Sequence, residues 1–451
     1  MAGVSLSRWT MSYFAAALVA LLAAESLMAA GWGFPNASLQ APATLLLVHL
    51  VVLGWLSLLL CGALFQFVPV LVARPLHSGT LPLPALVLLL GGLAALLTGF
   101  LRLNGTVTAA LPFFSAASTL LATGFSLVLW NLGRTLWAAR PLGWPAKFVA
   151  VGLLGLAATV AIGITFALVL AGDAVTPAAL RLFARGLPIH VIAGLGGWLT
   201  LTAMGVSYRL LAMFMLAPEL DRPSTRAVLR LGAWALGVAV VGGSIAILLK
   251  QDSTPVFLAA GALGMPAVIL YARDVAYLYR TRKRRTIELN SRMAAAAVGS
   301  LVLAAMLIVA LASMGGLVRH AGAVAFLVVF GWLSGLGLAK LYKIVPFLTW
   351  LECYGPVLGR APTPRVQDLV AEQHARKWFG LYFIAAWAAT AALFLDCAWA
   401  FRVAAAMQLA GTAGIVLQLV RARRLDDVPA SARFPAGSRR PPLILSLTRS
   451  Q

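Results

Sequence analysis

The chain has 451 residues, of which 61% are hydrophobic and 11% charged, and its mean hydropathy is +0.94. Soluble domains carry about 45–50% apolar and about 25% charged residues, so this composition excludes a water-soluble enzyme together with disordered, collagen-like and disulfide-scaffold classes. The net charge of +22 comes from 35 Lys and Arg against 13 Asp and Glu. In a membrane chain such an excess marks cytoplasmic loops rather than a nucleic-acid footprint.

Twelve apolar segments are each long enough for a hydrocarbon core that needs about 20 residues. They run near 11–31, 43–73, 82–102, 107–136, 148–171, 188–216, 227–249, 255–279, 293–316, 320–350, 378–398 and 402–420. Turn or charge signals break them, such as GWGFPNASLQAP at 31–42, ARPLHSGTLPLP at 73–84 and RTRKRR at 280–285. The first segment resembles a signal peptide, with Arg8 ahead of an apolar stretch, but Glu25 interrupts that stretch. Its removal would also break an even helix count, so it is counted as helix 1. With both termini cytoplasmic, the outer loops hold Arg102, Arg181, Arg185, Lys250, Arg319 and Arg402, and the other 29 of the 35 basic residues lie on or towards the inner side. RTRKRR and the tail from Arg421 are placed to touch anionic lipid headgroups. Residues 1–425 are expected to form the membrane domain, and the Pro-, Ser- and Arg-rich stretch 426–451 a flexible basic cytoplasmic tail.

Comparing the chain with itself exposes a threefold repeat. GWLSLLLCGALFQFVPVL begins at Gly54, GWLTLTAMGVSYRLLAMF at Gly197 and GWLSGLGLAKLYKIVPFL at Gly331. The repeat cores lie near 43–73, 188–216 and 320–350, one for every four helices. Matched positions include Trp55, Trp198 and Trp332; Ser57, Thr200 and Ser334; Gly62, Gly205 and Ala339; and Gln66, Arg209 and Lys343. Small residues at matched depth let membrane helices approach closely, and Ser or Thr can bond across them. The expected fold is therefore all-α: a polytopic membrane protein with twelve transmembrane helices in three pseudo-threefold four-helix arcs.

That plan, with His49 in HLVVLGWLSLLLCGALFQFVPV on helix 2 and His190 in HVIAGLGGWLTLTAMGV on helix 6, resembles subunit I of the heme-copper oxidase superfamily. The shorter cbb3-type and nitric-oxide-reductase-like members are the most similar. The resemblance covers nearly the whole chain in architecture and only these short stretches in residues. It implies an axial histidine for a low-spin heme on helix 2 and a copper-ligating histidine on helix 6. It also implies a bacterial-type inner (plasma) membrane, a place near the respiratory chain, and cytochrome c or other respiratory subunits as partners beside the lipid bilayer.

The chain departs from that family where the chemistry is densest. A working oxidase of the superfamily uses two histidines on helix 7 and two on helix 10, besides those on helices 2 and 6. Here helix 7 has none and helix 10 has only His320, at its outer end; the remaining histidines, His77 and His374, fall in loops on the inner side. A copper site built from imidazoles needs about three of them, so copper and dioxygen reduction are not expected. A single heme b remains open to His49, His190 and His320. His49 lies about six residues into its helix, a depth of ~9 Å, and a neutral imidazole bonded to a backbone carbonyl is its plain alternative. At 100° per residue, His190 and His320 point within roughly 40° of each other relative to their tryptophans, and His49 roughly 160° from His190.

Gln66, Arg209 and Lys343 share one repeat position towards the inner ends of their helices, where the two cations either snorkel or pair internally. Glu25 is read either as a step on a proton path or as a neutral, hydrogen-bonded carboxyl. Cys61, Cys353 and Cys397 make no CxxC pair. Walker A, HExxH and CxxCH motifs are absent, which argues against nucleotide hydrolysis and metalloprotease chemistry. Two other functions compete with a heme protein of electron transfer, gas sensing or complex assembly. One is a transporter with a path near Gln66, Arg209 and Lys343, although transporters are usually built from two halves with broken helices. The other is a structural subunit of a membrane complex.

Overall fold

A computed structural model of the chain describes residues 8–109 and 111–445. Among the described residues there is no strand, and twelve helices are long and apolar enough to cross a membrane. They are α1 (Thr10–Ala29), α2 (Pro42–Val72), α3 (Pro82–Leu103), α4 (Phe113–Ala138), α5 (Trp144–Ala171) and α6 (Leu187–Met215), followed by α7 (Pro223–Leu248), α8 (Thr254–Arg280), α9 (Leu289–Ser313), α10 (Ala321–Val357), α11 (Glu372–Phe394) and α12 (Ala398–Arg424). The protein is an all-helical, multi-pass membrane protein, as its composition led us to expect.

Helix ends follow local chemistry. Proline stands in the first turn of α2, α3, α5, α6, α7 and α8, where its missing N–H costs nothing. A helix apolar on all sides can face protein or lipid, and burial separates the two. In its most apolar stretch α8 buries 17% of its residues and α5 28%, whereas α2 buries 67% and α10 72%. Repeat helices α2 and α10 are therefore interior elements. Leu258 and Ile269 of α8 and Leu154 of α5 are exposed, as a hydrocarbon-facing surface requires.

The three repeat helices share a departure from α geometry. Leu50–Ser57 in α2, Ile192–Leu201 in α6 and Leu327–Ser334 in α10 are π-helical, and each stretch contains its Gly-Trp pair. Trp55, Trp198 and Trp332 are all buried. A fourth π stretch, Val238–Gly242, interrupts α7. Widened turns of this kind concentrate at functional sites. Their carbonyls also accept side-chain donors here: the Ser57 hydroxyl donates to Val52 O at 2.7 Å and the Tyr382 hydroxyl to Phe330 O at 2.8 Å.

Close helix contacts repeat as well. A Cβ at Gly62 would collide with Tyr13 on α1, and one at the matched Gly205 with Phe148 on α5. The first two repeat helices are thus each approached by an aromatic residue of the helix before it, at the same repeat position. The third repeat carries a fully buried Ala339 at this position.

The chain divides into two units by contact. The described part of one spans Leu64–Thr286, where α3 packs on α4, α4 on α5, α5 on α6 and α7 on α8. The other combines described residues of Ser5–Ala63 and Ile287–Gln451, where α1 packs on α2 and α12, α9 on α10, and α11 on α12.

Part of the expected flexible tail is tied down. The Arg423 guanidinium donates to the carbonyls of Pro442 and Leu445, both at 2.8 Å, and the Ser12 hydroxyl donates to Ile444 O at 2.6 Å. Val428 joins a core cluster with Cys353, Tyr354, Leu369 and Leu425. Composition pointed to mobility for 426–451, and within that stretch the carbonyls of Pro442 and Leu445 are bonded to a buried arginine. Residues 446–451 of that stretch lie outside the described residues.

Candidate functional site

The three candidate heme ligands stand at different distances from the π stretches. His49 is the last residue of regular α-helix before the π stretch of α2, and its Nδ1–H donates to Leu45 O at 2.8 Å. A carbonyl can only accept, so this bond fixes the proton on Nδ1 and the lone pair on Nε2. This is the carbonyl-bonded imidazole that the sequence offered as the plain alternative to a heme ligand, and metal-binding histidines are commonly held in the same way. His190, on α6, is half-buried beside Phe166, with ring centroids 5.6 Å apart. A Cβ at Gly163 would come within 3.0 Å of its ring, so α5 has a gap where the imidazole lies. Ile162, Ile189 and Ile247 form an apolar cluster there, with Phe166 and Phe257 packed against it. His320 caps the start of α10, half-buried, with its ring 5.0 Å from that of Phe394.

The π stretches also correct the angular comparison of these histidines. All or most of the π turn lies between each histidine and its tryptophan. A turn closed by i→i+5 bonds rotates less per residue than an α turn. The 100° step therefore does not carry from His49 to Trp55, from His190 to Trp198 or from His320 to Trp332.

Internal or local pairing, not snorkelling alone, accounts for the two repeat cations. Lys343 Nζ lies 2.7 Å from Glu288 Oε2, with both side chains largely buried, and the Gln367 amide donates to Glu288 Oε1 at 2.8 Å. Arg209 pairs with Glu219 at an exposed position. Gln66 is half-buried on α2, one turn before Pro69. Gln66 and Arg209 belong to the Leu64–Thr286 unit, and Lys343 to the other. Asp396, near the end of α11, pairs with Arg319 at 3.0 Å.

Glu25 is fully buried and belongs to a larger polar cluster than expected. Its Oε1 accepts the Gln408 amide at 3.1 Å and the Thr412 hydroxyl at 2.9 Å, both from α12. Tyr382 of α11 stands within reach of Gln408 and Ser334, and the Trp55 indole N–H donates to Ser334 Oγ at 2.8 Å. Two buried hydrogen-bonded pairs of helices, α1 with α12 and α2 with α10, thus place polar groups around Tyr382 of α11. Sequence reasoning singled out Glu25, Trp55 and Ser334 and missed Gln408, Thr412 and Tyr382. Gln408 and Thr412 offered one signal, being polar residues four apart on an otherwise apolar helix.

Two further buried charges also escaped notice. Asp274 of α8, fully buried, accepts the hydroxyls of Ser224 at 2.5 Å, Thr225 at 3.0 Å and Tyr208 at 3.2 Å. Ser224 and Thr225 open α7, whose N-terminal dipole favours a carboxylate. Arg423 meets Glu352 at 2.7 Å and Thr349 Oγ1 at 3.2 Å, with both charged side chains nearly inaccessible. These two clusters satisfy their charges internally and read as fastenings of the bundle. Among the described residues, no three His, Cys, Asp or Glu converge as a metal site would require.

Compared with known proteins, the chain matches no family model, and no curated protein matches its sequence.

Proposed function

We infer that this multi-pass membrane protein is a heme-copper-oxidase-subunit-I-like protein that binds heme b. It serves electron transfer, sensing of a diatomic gas or assembly of a respiratory complex, and does not reduce dioxygen by itself. The observation that carries this reading is the posture of His49. Its Nδ1–H donates to Leu45 O, so Nε2 is the nitrogen that would take the iron, at the edge of a π stretch on an interior repeat helix. Heme, when bound, supplies one-electron chemistry and a site for a diatomic ligand. His49 would hold the iron, and apolar helix faces would keep water from it. His320, in the same unit as His49, is the candidate for a second axial position, whereas the His190 ring is packed against Gly163 and Phe166 in the other unit. Cytochrome c or another respiratory subunit would be the partner in electron exchange, in a bacterial-type inner membrane with both termini in the cytoplasm.

The reduced-minus-oxidised visible spectrum and the pyridine hemochrome of the purified protein test this. A sharp α-band that is lost in His49→Ala, with the helical fold retained, is the expected result. A colourless protein from heme-replete cells overturns it and favours a structural subunit or a transporter. Transport is the weaker alternative, because Arg209 and Lys343 each have an acidic partner.

A further inference from the structure

The hydrogen-bond arithmetic around Glu25 leaves two oxygens over. Glu25 Oε1 takes two donors, yet Oε2 is buried with no hydrogen-bond partner among the described residues, and so is Gln408 Oε1 in the same cluster. On α12, Arg402 donates to Ala29 O at 3.3 Å, Arg421 pairs with Asp427, Arg423 with Glu352, and Arg424 is exposed at the far end. On α2 stand His49, bonded to Leu45, and Cys61; on α1, Tyr13; on α11, Tyr382, whose hydroxyl donates to Phe330 O, with Glu372, His374, Arg376 and Lys377 at the start of that helix; and on α10, Lys340, Tyr342, Glu352, Cys353, Tyr354 and Lys343, which pairs with Glu288. Among the described residues, none of these cations bonds to either Glu25 oxygen.

An ionised carboxylate in this place would hold one oxygen with neither donor nor counter-charge in a low-dielectric interior, at a cost of several kcal/mol. A carboxylic acid brings a single O–H donor and needs a single acceptor. Gln408 Oε1 is a buried acceptor lacking a donor, on the very side chain whose amide already holds Oε1 of the acid.

We propose that Glu25 is a proton-binding site inside the helix bundle, with the proton carried on Oε2 and the side chains of Gln408, Thr412, Tyr382 and Ser334 forming its polar wall. Binding forms one O–H bond at Oε2 and takes the side chain from a charge of −1 to neutral, with hydronium as the source and water as the by-product. The proposal concerns the buried cluster around Glu25 and stands apart from heme binding, so either can fail without the other.

Infrared difference spectroscopy tests it, on the full chain in lipid nanodiscs at neutral pH. The wild-type minus Glu25→Gln spectrum is expected to contain the C=O stretching band of a protonated carboxyl, shifted in D2O. Thr412→Val, which removes one donor from Oε1, should displace that band without abolishing it. Carboxylate bands in place of the protonated one overturn the proposal. Should Glu25→Gln fail to fold, Thr412→Val and Gln408→Leu are each compared with wild type, and absence of any shift in a protonated-carboxyl band overturns it equally.

Discussion

Trp55 and Ser334 stand 279 positions apart in the chain and are joined by a hydrogen bond of 2.8 Å from the indole N–H to the hydroxyl oxygen. They come from two of the three repeats, each from within its own π stretch. Ser334→Ala leaves a buried indole N–H without its acceptor and should cost about 1–3 kcal/mol. Trp55→Phe removes the donor, so the double variant should lose less than the sum of the single ones. Thermal unfolding in detergent, followed by circular dichroism, measures all three.

Asp274 gathers three hydroxyls at the start of α7, and its replacement strands them together. Asp274→Leu should lower stability by about 3 kcal/mol or more, since it leaves Ser224, Thr225 and Tyr208 without an acceptor. Asp274→Asn, which keeps one carbonyl oxygen, should lose less. A thermal-shift comparison of the two variants gives the order.

Breaking the Arg423–Glu352 pair should be costlier than its removal as a unit. Glu352→Gln leaves a buried guanidinium without its counter-charge, for a loss of about 3–5 kcal/mol. Arg423→Met also frees the carbonyls of Pro442 and Leu445, so protease should cut the segment between Leu425 and Leu445 faster than in wild type. Limited proteolysis with mass spectrometry reads this directly.

The matched glycines make a parallel pair of tests. Gly62→Leu should clash with Tyr13 and Gly205→Leu with Phe148, each with a loss of about 1–3 kcal/mol or more. Leucine at Gly133 or Gly261, where a Cβ meets nothing, should be tolerated. Expression level and melting temperature separate the two classes.

The twelve spans were legible because length and apolarity alone decide them, and the repeat because Gly-Trp pairs stand out in Leu- and Ala-rich helices. The π stretches were not legible, since LVVLGWLS and LVVFGWLS read as ordinary apolar helix and nothing in them marks the widened turn. That is also why the histidine angles failed. Glu25 was visible as an acid in an apolar run, but Gln408, Thr412 and Tyr382 become its neighbours only through packing of helices distant in sequence. Arg423 looked like one more basic residue at a helix end, and its buried ion pair depends on a tail whose composition pointed to mobility.

Arg423 has one more consequence, in time rather than space. Its carbonyl partner Pro442 lies 19 residues later in the chain, whereas its acidic partner Glu352 precedes it by 71. During synthesis the guanidinium can meet Glu352 and Thr349 as soon as α12 is placed, but its bonds to the Pro442 and Leu445 carbonyls must wait until that later segment is made. The last helix is therefore inserted before its clasp exists, and the order of translation makes closure of this end a late event in biogenesis.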